Sequence, residues 1–260
     1  MRKMTKHETK ASANSIQVIE RLAKLLDVIA LHEDPVSLKI LSAATGLHPS
    51  TAFRILSSLA DQGFVERTTR GNYQLGVKLM QLGSRVRSSV DIRKIALPLM
   101  EKLRDQLGET VNLTVREGDE IVYIERSVAK RMIKVEQVIG SRAPLHVTAV
   151  GKLMLGVLGE AACNSYAKRS KLPAYTKNTH TKIAPLLQDS LTAAQRGYSY
   201  DNEEAELGVG CIGTLVRDAS GNVVAGLSVS APIERRRDEW VTQVMETGLE
   251  ISKQLGYHPA

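Results

Sequence analysis

The sequence is poor in the residues that most often advertise chemistry. Its 260 residues hold two cysteines, Cys163 and Cys211, one tryptophan and two phenylalanines. Two cysteines make no disulfide framework, and no Cys-x-x-Cys or His-x-x-His spacing offers a metal site. No metal, cofactor or catalytic set is therefore expected. No apolar run reaches the ~18 residues of a membrane helix. The opening stretch MRKMTKHETKASANS has no apolar core and does not read as a secretory signal. A cytoplasmic protein without membrane contact is expected. Hydrophobic residues still make up 43%, enough for the cores of one large or two ordinary domains.

Charge is unevenly placed. Residues 1–75 carry 10 Lys and Arg against 7 Asp and Glu, residues 76–104 carry 7 against 2, and the remainder carries 18 against 19. The whole excess, formally +7, lies in the first 104 residues. That half suits an acidic polymer such as DNA, and the rest reads as a neutral soluble domain.

Residues 35–62 organise the basic half. Ser37 can cap a short helix whose apolar stripe is Leu38, Leu41 and Ala44, and Gly46 can end it in a positive φ. Pro49 suits the first position of a second helix. There Ala52, Ile55, Leu56 and Leu59 share one side, and Ser50, Arg54, Ser57 and Asp61 the other, with Thr51 beside them. Either a helix–turn–helix or an ordinary helical hairpin fits this stretch alone. Its neighbours decide between them. A helix from Ser15 to near His32 precedes it, carrying Ile16, Ile19, Leu22, Leu26 and Ile29 at helical spacing. Phe64–Arg67 and Tyr73–Leu75 follow as a hairpin around a Gly-Asn turn. That order predicts a winged helix. Ser50, Thr51 and Arg54 are its candidate DNA contacts, with Arg67 or Arg70 on the wing; Phe53, at the edge of the apolar stripe, either packs or contacts DNA.

The predicted organisation is a winged helix over residues 15–75, linker helices over 76–104 and a second domain over 105–257. Residues 1–14 read as a polar tail. The 76–89 helix has two apolar rows, Val77–Met80 and Leu79–Leu82–Val86, which suits packing against a second subunit or against its own domain. Asp91 can cap a further helix to Leu107, with Pro98 kinking it or delaying its start. Strands are predicted at 110–116, 120–126, 132–138, 211–217 and 222–230. Helices are predicted at 148–158, 160–168, 183–195 and 236–255. The fold class is α+β, a mostly antiparallel sheet with helices on one side.

Thr148 can cap a helix whose first amides, from Ala149, Val150 and Gly151, form a site for a carboxylate; an ordinary capped helix with small residues for sheet packing is the simpler reading of the stretch alone. Gly151 would let a ligand approach. Ser228 and Ser230 share one side of a strand, opposite Val223, Ala225, Leu227 and Val229. Met132 and Val135 are candidate apolar walls. Lys152 is expected to project to solvent, and Glu203 and Glu204 to be solvated.

Seven separated motifs stand in order along the chain: Thr45-Gly46-Leu47, Ser50–Leu56, Tyr73–Gly76, Pro144–Lys152, Arg196–Glu204, Gly208–Ile212 and Ser228–Pro232. Together they resemble the IclR family of bacterial transcription regulators. Gly213-Thr214-Leu215-Val216 departs from the family's usual Ala-Pro-Val after the cysteine. The resemblance implies an N-terminal winged helix and a C-terminal effector domain with a GAF- or profilin-like sheet. It also implies homodimers, often paired into tetramers, on double-stranded operator DNA, and a small organic or aromatic acid as effector. It places Asp201, Val209 and Cys211 beside Ser228 and Ser230 in the pocket. The alternative is an enzyme acting on a small acid, with Cys211 or His146 as catalyst and the winged helix as an accessory.

Overall fold

A computed structural model describes residues 16–87 and 91–259. Ser15, the 1–14 tail and residues 88–90 of the expected linker lie outside them. The chain divides into two compact units, the first ending at Val90 and the second beginning at Asp91.

The first unit is built on local signals. Helix α1 spans Gln17–Ala30. Ser37 caps α2, Leu38–Thr45, by accepting the Ile40 amide, and Gly46 ends it at φ 70°. Helix α3 spans Pro49–Asp61, with Pro49 in its first turn. Its cap is His48, which the sequence did not suggest: Nδ1 accepts the Ser50 amide at 3.4 Å. Strands β1, Val65–Arg67, and β2, Tyr73–Leu75, pair antiparallel, and Val36 extends the ladder by bonding Tyr73 in both directions at 2.8 Å. Leu25, Ile29, Leu41, Ala52, Leu56, Leu59, Val65 and Tyr73 form the buried core beneath them. Helix α4, Val77–Arg87, follows and exposes Val77, Met80 and Leu82.

Helix α5, Ile92–Leu107, opens the second unit, capped by Asp91 and ended by Gly108 at φ 71°. The helix begins before Pro98 and runs through it. The linker was expected to extend to 104, but α5 buries Ala96, Met100, Leu103 and Leu107 in the second unit's own core. The strands are β3, Thr110–Glu117; β4, Glu120–Ser127; β5, Arg142–Pro144; β6, Tyr198–Asn202; β7, Val209–Arg217; and β8, Val223–Pro232. They form one antiparallel sheet in the order β5-β4-β3-β8-β7-β6. Helices α6, Ala149–Leu158; α7, Glu160–Ser170; and α8, Ile183–Arg196, follow β5, and α9, Trp240–Gln254, closes the chain.

Helices cover both faces, not one. On the first, α5 and α9 pack on Val111, Leu113, Ile212, Val216, Ala225, Leu227 and Val229, with Trp240 half-buried beside them. On the second, α6 to α8 pack through Val150, Met154, Leu155, Tyr166 and Leu186 over Ile121. The alternation read at Ser228 and Ser230 holds for Ala225, Leu227 and Val229, which lie opposite the serines, but not for Val223, which packs on the α6 face beyond the register shift at Val216/Arg217. The strand expected at 132–138 is absent. Met132, Ile133 and Val138 are exposed there and gain no ladder partner. The edge position beside β4 goes to β5, where Ala143 pairs with Ile121. No helix of the described residues is long and apolar enough to cross a membrane.

Candidate functional site

In the first unit, α3 presents Ser50, Phe53 and Arg54 outward, with Thr51 half-buried. Ser50 Oγ lies 2.8 Å from His48 Nδ1, which fixes the start of the helix. Phe53 is 41% exposed. Arg67 on β1 stands with Cζ 5.8 Å from the ring centroids of both Phe53 and Tyr73, so a cation–π contact ties the wing to α3. Arg67 is a brace as well as a cation, and Arg70 alone sits at the wing tip. Arg54, Arg67 and Arg70 form no ion pair among the described residues. A groove of about 500 Å³ beside α3 is lined by Thr51, Phe53, Arg54, Ser57 and Arg21. Arg21, from α1, escaped the sequence reading because a lone Arg on a helix normally reads as a solvated face.

In the second unit, a cavity of about 70 Å³ lies between the sheet and the start of α6. Of the expected pocket residues, Ala149, Val150, Asp201, Val209, Cys211 and Ser228 line it. Ser230 lies just behind, its hydroxyl 3.3 Å from Cys211 Sγ and 3.1 Å from Asn112 Nδ2. Met132 and Val135 do not line it. Met132 is fully exposed, because its segment never joins the sheet. Ile121, Ala143, Val150 and Val209 make the apolar wall instead, and Tyr123, Gln137, Thr148, Ala205 and Glu206 complete the lining. A groove of about 470 Å³ beside α9 is larger; Leu153, Val157, Leu215 and Leu249 line it together with Arg217, Glu246 and Tyr257, and it holds none of the candidate residues.

Thr148 caps α6 by accepting the Gly151 amide at 3.1 Å. Lys152 N–H bonds the Thr148 carbonyl. The amides of Ala149 and Val150, both buried, are left for another acceptor. Two glycines seat this turn on the sheet. A Cβ at Gly213 would stand 3.1 Å from the Val150 nitrogen, and one at Gly226 would collide with the Val150 side chain. The departure from the family pattern at Gly213 therefore falls directly beneath the start of α6. Gly151 serves packing rather than ligand approach: its missing Cβ faces the backbone of Leu145.

Lys152 does not reach solvent. It is wholly buried, with Nζ 2.6 Å from Asp189 Oδ2 and 2.5 Å from Glu204 Oε1. His180 Nε2 lies 3.4 Å from the same Asp189 oxygen. The ligand atoms of His180, Asp189 and Glu204 lie within 4.8 Å of one another, a spacing that fits a metal ion, but the Lys152 ammonium already supplies the charge there. Glu204 is thus buried, not solvated. Its amide donates to Asp201 Oδ1 at 2.8 Å, which turns Asp201 inward.

Burial pushes the Asp201 carboxyl up to about 6 against the pull of the Glu204 amide; the Glu204 carboxylate raises it further and Lys152 opposes. The folded chain holds this proton more tightly than the unfolded one, so stability falls as pH rises from the ordinary value of 3.8 to about 6. Asp201→Asn is expected to stabilise the protein near neutral pH by about 3 kcal/mol, and to change nothing near pH 3. Urea midpoints at the two pH values check this.

Burial, then the Asp201 charge, pushes the Cys211 thiol far up, so it carries no thiolate nucleophile. His146 is wholly buried, with Nδ1 2.7 Å from the Tyr166 hydroxyl and Nε2 3.1 Å from the Pro173 carbonyl. It lies outside the cavity and acts as a structural tie.

Comparison with known proteins agrees with this architecture. The model described as IclR helix-turn-helix domain matches residues 18–69, and that described as Bacterial transcriptional regulator IclR C-terminal matches 84–255. The chain belongs to the IclR family of bacterial transcription regulators. It is 33% identical to the HTH-type transcriptional regulator XynR of Escherichia coli K12, over 93% of this chain and 98% of that protein. It is 30% identical to the transcriptional repressor IclR of the same strain, over 95% and 91%. Among solved structures, the Agobacterium tumefaciens repressor BlcR aligns with a TM-score of 0.78 at 26% identity, covering 95% of this chain and all of that one. An IclR-family chain pairs a helix-turn-helix DNA-binding domain with a C-terminal ligand-binding domain, and the two units described here are those domains.

Proposed function

We propose that this protein is a ligand-responsive regulator that reads operator DNA with α3 and the β1–β2 hairpin and senses a short organic acid in the second unit. Ser50, Thr51 and Arg54 would meet base edges and phosphates, with Arg67 and Arg70 on the wing and Phe53 on a thymine methyl. The observation that carries the sensing half is that Ala149 and Val150, whose amides bond no acceptor among the described residues, line a cavity that also holds Tyr123, Asp201 and Ser228. A helix N-terminus of this kind favours a carboxylate. A volume of about 70 Å³ favours acids of a few carbons over aromatic ones. The exposed Val77, Met80 and Leu82 of α4 support a homodimer, with a dimer of dimers as the further assembly. An acid would favour one arrangement of the DNA-binding units over another and so tune operator binding.

A thermal-shift screen of formate, acetate, glycolate, lactate and benzoate tests the sensing half, since a bound acid raises the melting point by mass action. No shift with any of them would overturn it. Gel shifts over genomic fragments test the DNA half. Arg54→Ala is expected to weaken binding to a retained fragment by about 1–3 kcal/mol, read as a shifted titration midpoint; an unchanged midpoint removes Arg54 from the interface.

The enzyme alternative finds little support. Cys211 is a protonated thiol, and His146 stands outside the cavity, so no nucleophile–base pair is assembled.

A further inference from the structure

A carboxylate sensor with this cavity has a charge problem. The lining carries two acids, Asp201 and Glu206, and no Lys, Arg or His. The nearby cations are engaged elsewhere. Lys152 is held by Asp189 and Glu204, with His180 on the far side of Asp189. Arg236 donates to the Asp201 carbonyl and to Asn202 Oδ1. The other groups facing Asp201, the Cys211 thiol and the Tyr123 phenol, are kept protonated by burial. One buried ammonium therefore stands against three carboxylates, those of Asp189, Asp201 and Glu204. A ligand finds neutral donors there, the two α6 amides and the hydroxyls of Tyr123 and Ser228. Two carboxylates enclosed together without a cation cannot both stay ionised.

We propose that the cavity binds a small monocarboxylate together with one proton, the ligand carboxylate taking the Ala149 and Val150 amides while Asp201 holds the proton. This rests on the acid-sensing reading above. The ligand enters as its anion, one proton from solvent joins it, and the cavity's net charge is unchanged. The Glu204 amide donates to Asp201 Oδ1 and the Ala205 amide also faces the carboxyl; once protonated, the carboxyl can itself donate to the ligand. The unliganded carboxyl already titrates at about 6. Below that value binding needs no new proton; above it, each pH unit costs the anion about tenfold in affinity.

The test is isothermal titration of the full chain with whichever of formate, acetate, glycolate, lactate and benzoate shifts the melting point most. The wild-type Kd is expected to weaken roughly 20-fold between about pH 5.5 and about pH 7.5. Titrations near pH 7.5 in two buffers of different ionisation enthalpy should report close to one proton taken up. Asp201→Asn should bind with nearly the same Kd at both pH values, and near pH 7.5 more tightly than wild type. Equal wild-type affinity at both pH values would overturn the coupling and leave acid sensing intact. A pH dependence that survives in Asp201→Asn would assign the proton elsewhere and overturn it too. Absence of binding at either pH would overturn both readings.

Discussion

Lys152→Met is expected to destabilise the second unit by about 3–5 kcal/mol, the usual consequence of removing one partner from a buried ion pair. The methionine would fill much of the lysine's volume, so the loss is electrostatic. Glu204 is 4% exposed at its side chain and would be left as a buried carboxylate without a cation. Asp189 would keep only His180. Its carboxyl, which burial alone would raise, is at present held well below the usual range by the His180 hydrogen bond and the Lys152 charge. The damage should reach the cavity, because the Glu204 amide orients Asp201. Urea unfolding of the variant checks the magnitude. Adding Glu204→Gln should recover part of the loss, since the stranded charge is then gone. Equal stability of wild type and Lys152→Met would mean that the pair contributes nothing net.

That lysine also marks a limit of reading helices by their stripes. AVGKLMLGVL has no polar face, and a helix that is apolar all round is buried on all sides. The expectation that Lys152 reaches solvent weighed the residue and not its neighbours. Elements set by local chemistry were legible. Ser37, Asp91 and Thr148 cap helices as their positions suggest, and Gly46, Gly108 and Gly197 end them with positive φ. Elements set by partners were not. Strand β5 has three residues, ends in Pro144 and exists because β4 offers an edge. Strand β6, Tyr-Ser-Tyr-Asp-Asn, has no aliphatic residue and is held by its register with β7. Met132–Val138 carries the right composition for a strand and finds no edge.

The cavity divides along the same line. Ser228 and the α6 amides follow from period and capping. Asp201, Val209 and Cys211 came only from resemblance, because nothing local says that β6 lies beside β7 and puts Asp201 opposite Cys211. Tyr123 and Gln137 were missed for the same reason. The alternation of EIVYIER puts Ile121 and Tyr123 on one face, but that this face is the one under α6 depends on the pairing of Tyr123 with Thr114 in β3, which the strand's own sequence does not contain. Arg67 was legible as a wing cation, while its stacking on Phe53 depends on how the hairpin folds back on α3.

Gly151→Ala is expected to cost about 3 kcal/mol or more and to remove acid binding, although the new methyl group would not enter the cavity. A Cβ there would overlap the Leu145 carbonyl oxygen and Cα, with the Thr148 hydroxyl also in the way. These are backbone atoms of the 3-10 turn Leu145–Val147, and no rotamer change relieves them. The alanine would gain helix propensity, worth no more than about 1 kcal/mol, so overpacking decides the sign. To make room, α6 must lift from the turn. Its first amides would then leave the cavity, and the Thr148 cap on Gly151 would stretch. Thermal melts would read the stability loss, and titration with the acid used for wild type would read the binding loss. Thr148→Ser separates the two causes, because it keeps the capping hydroxyl and adds no atom beside Leu145. That variant should retain acid binding within a few-fold. If Gly151→Ala bound acid normally, the α6 amides would not be the carboxylate's seat, and Ser228, Tyr123 and Gln137 would be donors left to hold it.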